Sequence, residues 1–236
     1  MNKIAIYTAI MGKIDNIIDP EIITPDVDYI CFTDELRHKS DIWKFVKVDN
    51  EFENLRYKAR EIKLNPHKYL DGYDYSLWVD GNIRILKNLN SFFEDLINEK
   101  VSIATFKHFS RNCVYEEALE CIATKKDNKS NIYKQIALCI SDNYPIKNGL
   151  AETNVVYRYH KKSEIITAME DWWLCVRQNS IRDQLSFDYT MFKNNINYSL
   201  IKGNSRTGCE YFMCVEHKED SFKNSLRKIY SKFIKR

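Results

Sequence analysis

The chain has little of what usually punctuates a fold. Six glycines and four prolines serve 236 residues, so most turns must be made by Asp, Asn and Ser. It holds no run of 18 apolar residues, so no membrane-spanning helix is expected. The opening "MNKIAIYTAI" has only a short apolar run and no cleavage-site pattern, so it reads as a first strand and not as a signal peptide. The seven cysteines (Cys31, Cys113, Cys121, Cys139, Cys175, Cys209, Cys214) include no CxxC pair. Their odd number and irregular spacing argue against a disulfide framework or a zinc knot. Reduced, mostly buried thiols of a cytoplasmic protein are expected instead. A formal charge of only +3 is too small for a general nucleic-acid binder. A P-loop, a GxGxxG fingerprint, a GxSxG elbow and an HExxH pair are also missing, and with them most enzyme classes that announce themselves.

What is present is apolar and aromatic. Hydrophobic residues make up 44% of the chain, with fifteen Tyr and twelve Phe. That is ample for a core in one domain or two intimate halves. The first half alternates short β-branched or apolar runs with helical patterns. Strands are expected at 3–10, 28–34, 43–49, 75–81 and 101–108. A helix over 54–70 is stopped by Pro66, and a shorter one begins at Ser91. The second half is more helical, with helices over 112–126, 130–142, 163–179 and 182–195 and strands over 149–160 and 198–203. Such alternation predicts an α/β fold with a mostly parallel sheet flanked by helices. The nucleotide-binding half is expected at about 1–100 and the acceptor half at about 101–217.

Ligands of open α/β sheets bind beyond the carboxyl ends of strands. Thr8, Thr33-Asp34, Asp49 and Asp80-Gly81-Asn82 all follow such strands. The last triplet is the most suggestive. Oxygens at i and i+2 suit a hard divalent cation, Mg²⁺ or Mn²⁺, but Asp, Gly and Asn are equally the residues of a tight turn. In "NLRYKAREIK", Arg56 and Arg60 share one helical face with Lys63 nearby. They could grip a diphosphate or form a solvated basic face. Asp183 and Gln184 of "SIRDQLSFDY" could face a sugar, or Asp183 or Ser180 could cap a helix. "HFSRNCVYEEA" could gather His108, Arg111 and Glu116 or Glu117 at a substrate, though a lone His is more often structural. Trp172-Trp173 reads as core.

Taken together, "YTAIMGKIDNI", "DYICFTDE", "KLNPHKYL" followed by "YDYSLWVDGNI", "RNCVYEEA", "NGLAETNVVYRYH" and "RDQLSFDY" resemble the DUF616 group of glycosyltransferase-like proteins. The resemblance runs from about Ile4 to about Asn195. It implies a GT-A-like domain over 1–217 and a divalent metal at Asp80 and Asn82. Asn82 stands where the usual motif has a second Asp, and an amide is the weaker ligand. It further implies that Tyr7, Thr8, Ala9 and Asp34 hold base and ribose, and that Arg56 and Arg60 face the donor phosphates. By the same resemblance Asp183 and Gln184 reach the donor sugar, and His217 is a third metal ligand. The activity implied is transfer from a nucleotide-diphosphate sugar to a glycan or lipid-linked glycan, in surface polysaccharide synthesis. A metal-dependent hydrolase of phosphoesters or lipid amides, or a non-catalytic nucleotide-sugar binder, would use the same residues.

From Ser221 onward the chain carries six Lys/Arg and no acid. Phe222, Leu226, Ile229, Tyr230 and Phe233 recur at helical spacing. This basic tail, 218–236, reads either as a helix on the inner face of an anionic membrane or as a helix docked on the core.

Overall fold

The computed structural model describes residues 2–12 and 16–215; His217 and the basic tail lie outside them. In chain order the elements are β1 (Ile4–Ile10), β2 (Val27–Thr33), β3 (Lys44–Lys47), α1 (Leu55–Leu64), α2 (Pro66–Tyr69), β4 (Tyr75–Val79), β5 (Ile83–Ile85) and α3 (Asn90–Asn98). They continue with β6 (Ile103–Lys107), α4 (Val114–Ala123), α5 (Lys129–Ser141), β7 (Ala151–Arg158), α6 (Ser163–Gln178), α7 (Gln184–Lys193), β8 (Ser199–Leu200) and β9 (Phe212–Cys214). Each strand and helix expected from pattern is present, shifted by a few residues at its ends. Pro66 does end α1, and then its fixed φ starts the single turn α2.

One sheet has the order β3-β2-β1-β4-β7-β6-β8. Strands β1 to β4 run parallel, while β7 is antiparallel to both β4 and β6. This is the mixed, mostly parallel α/β sheet of a GT-A-like fold. Alternate residues feed the two faces. Tyr7 and Trp78 point to the layer of α1, α6 and α7, where Trp172 packs edge-on against Phe187. Ile6, Leu77 and Val79 point to the opposite layer with Phe92, Phe93 and Phe212. Burial on both faces explains why the central strands read as nearly continuous apolar runs. Trp172 is fully buried and all seven cysteines are unpaired, five of them buried.

Two features of this topology shape the ligand edge. First, β7 runs backwards between β4 and β6, so its first residues sit where its neighbours end. Its pairing with β6 also slips: Thr105 faces Val156, yet Phe106 faces Glu152. Thr105 Oγ1 fills the bulge by donating to the carbonyls of Glu152 and Val155 at 2.9 and 2.7 Å. A bulge re-aims side chains, and this one turns Thr153 and Asn154 toward the strand ends. Second, β9 pairs antiparallel with β5, so residues 212–214 return to the stretch just after Asp80-Gly81-Asn82.

The end of β1 is held by a glycine. Gly12 has φ +66°, and a Cβ there would stand 2.9 Å from Leu55 Cδ1. Its N–H donates to both carboxylate oxygens of Asp34, at 2.9 and 3.1 Å. Gly12→Ala is therefore expected to cost roughly 1–2 kcal/mol, mostly for the left-handed backbone. Urea unfolding would read this as a lower midpoint at unchanged slope, and an unchanged midpoint would refute it.

Candidate active site

A cleft of roughly 570 Å³ opens at the carboxyl ends of β1, β4 and β6 and the amino end of β7. That size suits a small-molecule ligand. The ends of β1 and β4 bring Ala9, Asp80, Gly81 and Asn82 to it; α1 brings Arg56, Arg60 and Lys63; the start of α7 brings Arg182, Asp183 and Gln184. His108, Phe109, Arg111, Glu117, Glu152, Asn154, Arg206 and Cys214 line the remainder.

Lys63 is the hub. It sits in the last turn of α1, and its side chain is 1% exposed. Its Nζ stands 2.6 Å from Asp183 Oδ2 and 3.2 Å from Asp80 Oδ1. It also lies 5.5 Å from the centre of the Trp78 ring, whose Nε1 donates to the same Asp80 Oδ1 at 2.7 Å. One buried ammonium thus ties α1 to the end of β4 and to the start of α7. Arg60 Nε is 3.3 Å from Asp183 Oδ1, close enough to pair charges but not aligned as a hydrogen bond. Thr153 Oγ1, from the bulged strand, donates to Asp183 Oδ2 at 3.1 Å. Burial alone would raise the Asp183 pKa, but Arg60, Lys63 and Arg182 outweigh it and hold the carboxyl well below its ordinary value. These cations therefore favour Asp183 as an anion. Burial likewise opposes the charge on Arg182, and Asp183, Cys121 and Glu117 together outweigh it. Burial lowers the pKa of Arg56, helped by Arg60 and Arg182; no described acid lies within ion-pair distance of Arg56.

The Asp80-Gly81-Asn82 triplet is a turn, since Ile83 N donates to Asp80 O at 2.8 Å. Its side chains do not serve that turn, however. Asp80 Oδ1 takes the Lys63 and Trp78 donors, and Asn82 Nδ2 donates to Val215 O and Cys214 Sγ, both at 3.2 Å. Asp80 Oδ2 and Asn82 Oδ1 take no hydrogen bond from the described residues. Two oxygens of this hardness fit Mg²⁺ or Mn²⁺, which keep waters and phosphate oxygens as their other ligands. Among the described residues, no cluster of three or more His, Cys, Asp or Glu gathers for a metal. Among the described residues, the two oxygens at 80 and 82 are the groups that could hold such an ion.

The residues singled out from sequence separate into two groups. Ala9, Arg56, Arg60, Asp80, Asn82, Asp183 and Gln184 meet in the cleft, with His108, Arg111 and Glu117. Tyr7, Thr8 and Asp34 lie beneath or beside it. Tyr7 is fully buried, donating to Lys63 O and accepting from Arg158 Nη1, both at 2.8 Å. Thr8 is 1% exposed, and Asp34 holds Gly12. Gln184 Nε2 is committed to Ala151 O at 2.8 Å, while Asp188 Oδ2 accepts from Ala151 N at 2.9 Å. One turn of α7 thus fixes both polar groups of the first residue of β7. Position 217 falls outside the described residues. Glu152, Thr153, Asn154, Arg206 and Cys214 were not singled out, because only the direction of β7 and the return of β9 bring them here. Lys63 was noticed as a neighbour of the two arginines; its link to two carboxylates had no local signal.

Comparison with known proteins adds the family. "Probable hexosyltransferase MUCI70" of Arabidopsis thaliana is 29% identical over 160 residues, which cover 63% of this chain and 27% of that protein. The chain thus spans about a quarter of that relative's length. Residues 1–219 match the family model described as TOD1/MUCI70, glycosyltransferase-like domain. With nearly the whole chain matched, and a cleft built at the strand ends of a GT-A-like sheet, the protein belongs to the TOD1/MUCI70 glycosyltransferase-like domain family.

Proposed function

We propose that the protein is a glycosyltransferase. It takes a nucleotide-diphosphate sugar as donor and a glycan or lipid-linked glycan as acceptor, in surface polysaccharide synthesis. The observation that carries this reading is a surplus of fixed cations. Among the described residues, the cations Arg56, Arg60, Lys63 and Arg182 outnumber Asp80 and Asp183, the acids paired with them at this end of the cleft, with Asp127 and Glu117 acting on Arg56 and Arg182 as further acids. Half-enclosed cations in excess of the acids paired with them call for an anionic ligand, and arginines match phosphate oxygens bidentately.

In the reaction, negative charge grows on the departing diphosphate. Arg56, Arg60 and Arg182 are already placed and charged, so they stabilise that charge without reorganising at the moment of transfer. Asp183 keeps Lys63 and Arg60 in position and, lining the cleft, presents the edge of its carboxylate to the donor sugar. A divalent cation held by Asp80 and Asn82 would act as a Lewis acid on the diphosphate. Ala9, at the end of β1, leaves room for the nucleoside beside Leu55.

A thermal-shift screen with UDP-, GDP- and ADP-sugars, with and without Mn²⁺, tests this reading. A ligand that binds the native state alone raises the melting temperature, by roughly 2.7 kcal/mol of stability at a hundred times its Kd. One nucleotide sugar is expected to give a clear, Mn²⁺-enhanced shift. No shift with any of them would refute the donor site. A shift without transfer to any acceptor would make the protein a binder, and release of free sugar as the main product would make it a hydrolase.

A further inference from the structure

The fixed-cation end accounts for only half of the cleft. From the geometry of the other half we infer a separate subsite for an uncharged, hydroxyl-rich sugar ring, built on Phe109, His108 and Glu152. It is the acceptor's place if the donor reading above holds. Sheet order puts the end of β6 apart from Asp80. β7 lies between β4 and β6, so the end of β6 is two strand spacings from Asp80, about 10 Å.

His108 organises the subsite. Its Nδ1 accepts the backbone N–H groups of Arg111 at 2.9 Å and Ser110 at 3.3 Å. An acceptor nitrogen cannot carry the proton, so the neutral ring bears it on Nε2. Burial also lowers the His108 pKa, keeping the ring neutral. Nε2 stands 3.8 Å from Glu117 Oε2 and 3.8 Å from Glu152 Oε2. Both distances are too long for a direct hydrogen bond, so Nε2–H makes none to the described residues and can donate to a ligand oxygen. A sugar hydroxyl there would accept from Nε2–H and donate to a glutamate.

The cations at this end are matched by acids. Glu152 is held by Arg206 in two bonds of 2.7 and 3.2 Å, and Glu117 by Arg111 Nε at 2.5 Å. Glu120 adds one more negative group near Arg111. Such a surface binds hydroxyls and offers nothing to an extra carboxylate. The apolar contact comes from Phe109, half exposed in a polar cleft. Arg206 lies over one side of its ring at 5.4 Å, and the His108 ring sits 4.9 Å away. A braced, exposed aromatic ring is a platform for the C–H face of a pyranose.

The test is saturation-transfer NMR on the full chain, with methyl α-glucoside, α-galactoside and α-mannoside, and with methyl glucuronide as the charged control. Each is measured with and without UDP, GDP or ADP. At least one neutral glycoside is expected to bind, with its signal kept in the presence of the nucleoside diphosphate. Phe109→Ala and Phe109→Leu should each weaken it at least fivefold, and Glu152→Gln likewise. The Leu variant keeps apolar bulk, so its loss identifies the ring as the cause. Absence of binding by every neutral glycoside, wild-type binding by both Phe109 variants, or equal binding of the glucuronide would overturn the inference. If no nucleotide stabilises the protein while glycoside binding still depends on Phe109, the donor reading falls and the sugar subsite stands.

Discussion

Asp80→Asn is expected to lower sugar transfer on the order of 100-fold or more, close to the effect of removing one preorganised charge-stabilising group elsewhere. The substitution is chosen to isolate chemistry from folding. An amide oxygen at position 80 still accepts the Trp78 Nε1–H, and Lys63 keeps its 2.6 Å partner Asp183. What is lost is the negative charge, and with it the free carboxylate oxygen that fits a divalent cation. A hundredfold loss is about 2.7 kcal/mol of transition-state stabilisation. The melting temperature should shift far less than it does for Lys63→Met, because Lys63 keeps its shorter pair with Asp183. The half-maximal Mn²⁺ concentration should rise in the same preparation. A variant that melts like wild type and transfers within twofold of it would remove Asp80 from the mechanism.

Lys63→Met is expected to be the most destabilising single change, at about 3–5 kcal/mol, because it strips the cation from two carboxylates of which one is fully buried. Methionine fills the space of the stem, so little of the loss is packing. The pH dependence separates this cause from a cavity. In the wild type the Asp183 pKa is depressed below its unfolded value of 3.8. Its contribution is therefore fully present above that pH and is lost as pH falls through the lower folded value. In the variant the burial cost is less well offset, so the Asp183 pKa rises relative to wild type and protonation relieves part of the damage. The gap in melting temperature between the two proteins should shrink from pH 7 to pH 3, as pH falls through the raised Asp183 pKa of the variant. A gap constant across that range would assign the loss to packing. Combining Lys63→Met with Asp183→Asn should recover part of the stability, since a neutral buried pair costs less than a stranded charge.

Much of the fold was legible because its signals are local. Ile4–Ile10 and Tyr75–Val79 announce buried strands by their apolar runs, and the polar residues after them mark the ligand edge. The paired arginines of α1 are one turn apart in sequence and in space. What could not be read is what depends on pairing across long separations. Lys63 meets Asp183 across 120 positions, and Asn82 meets Val215 across 133. Tyr7 and Asp34 show the reverse case. The resemblance implied that both hold base and ribose, yet the side chains turn to Arg158 and Gly12. Which way a side chain at a strand end turns is set by its neighbours and not by its own run.

The sequence by itself determined the class of the fold, the placement of its elements and the triplet that ends β4. It did so because helix and strand periodicity and turn chemistry act over a few residues. Only the tertiary structure decided that β7 runs against its neighbours with a bulge at Glu152, that one buried lysine joins two carboxylates, and that the cleft has a cationic end and one whose cations are matched by acids. Those outcomes arise from contacts between segments far apart in the chain, where burial and charge pairing, and not local propensity, choose the partner.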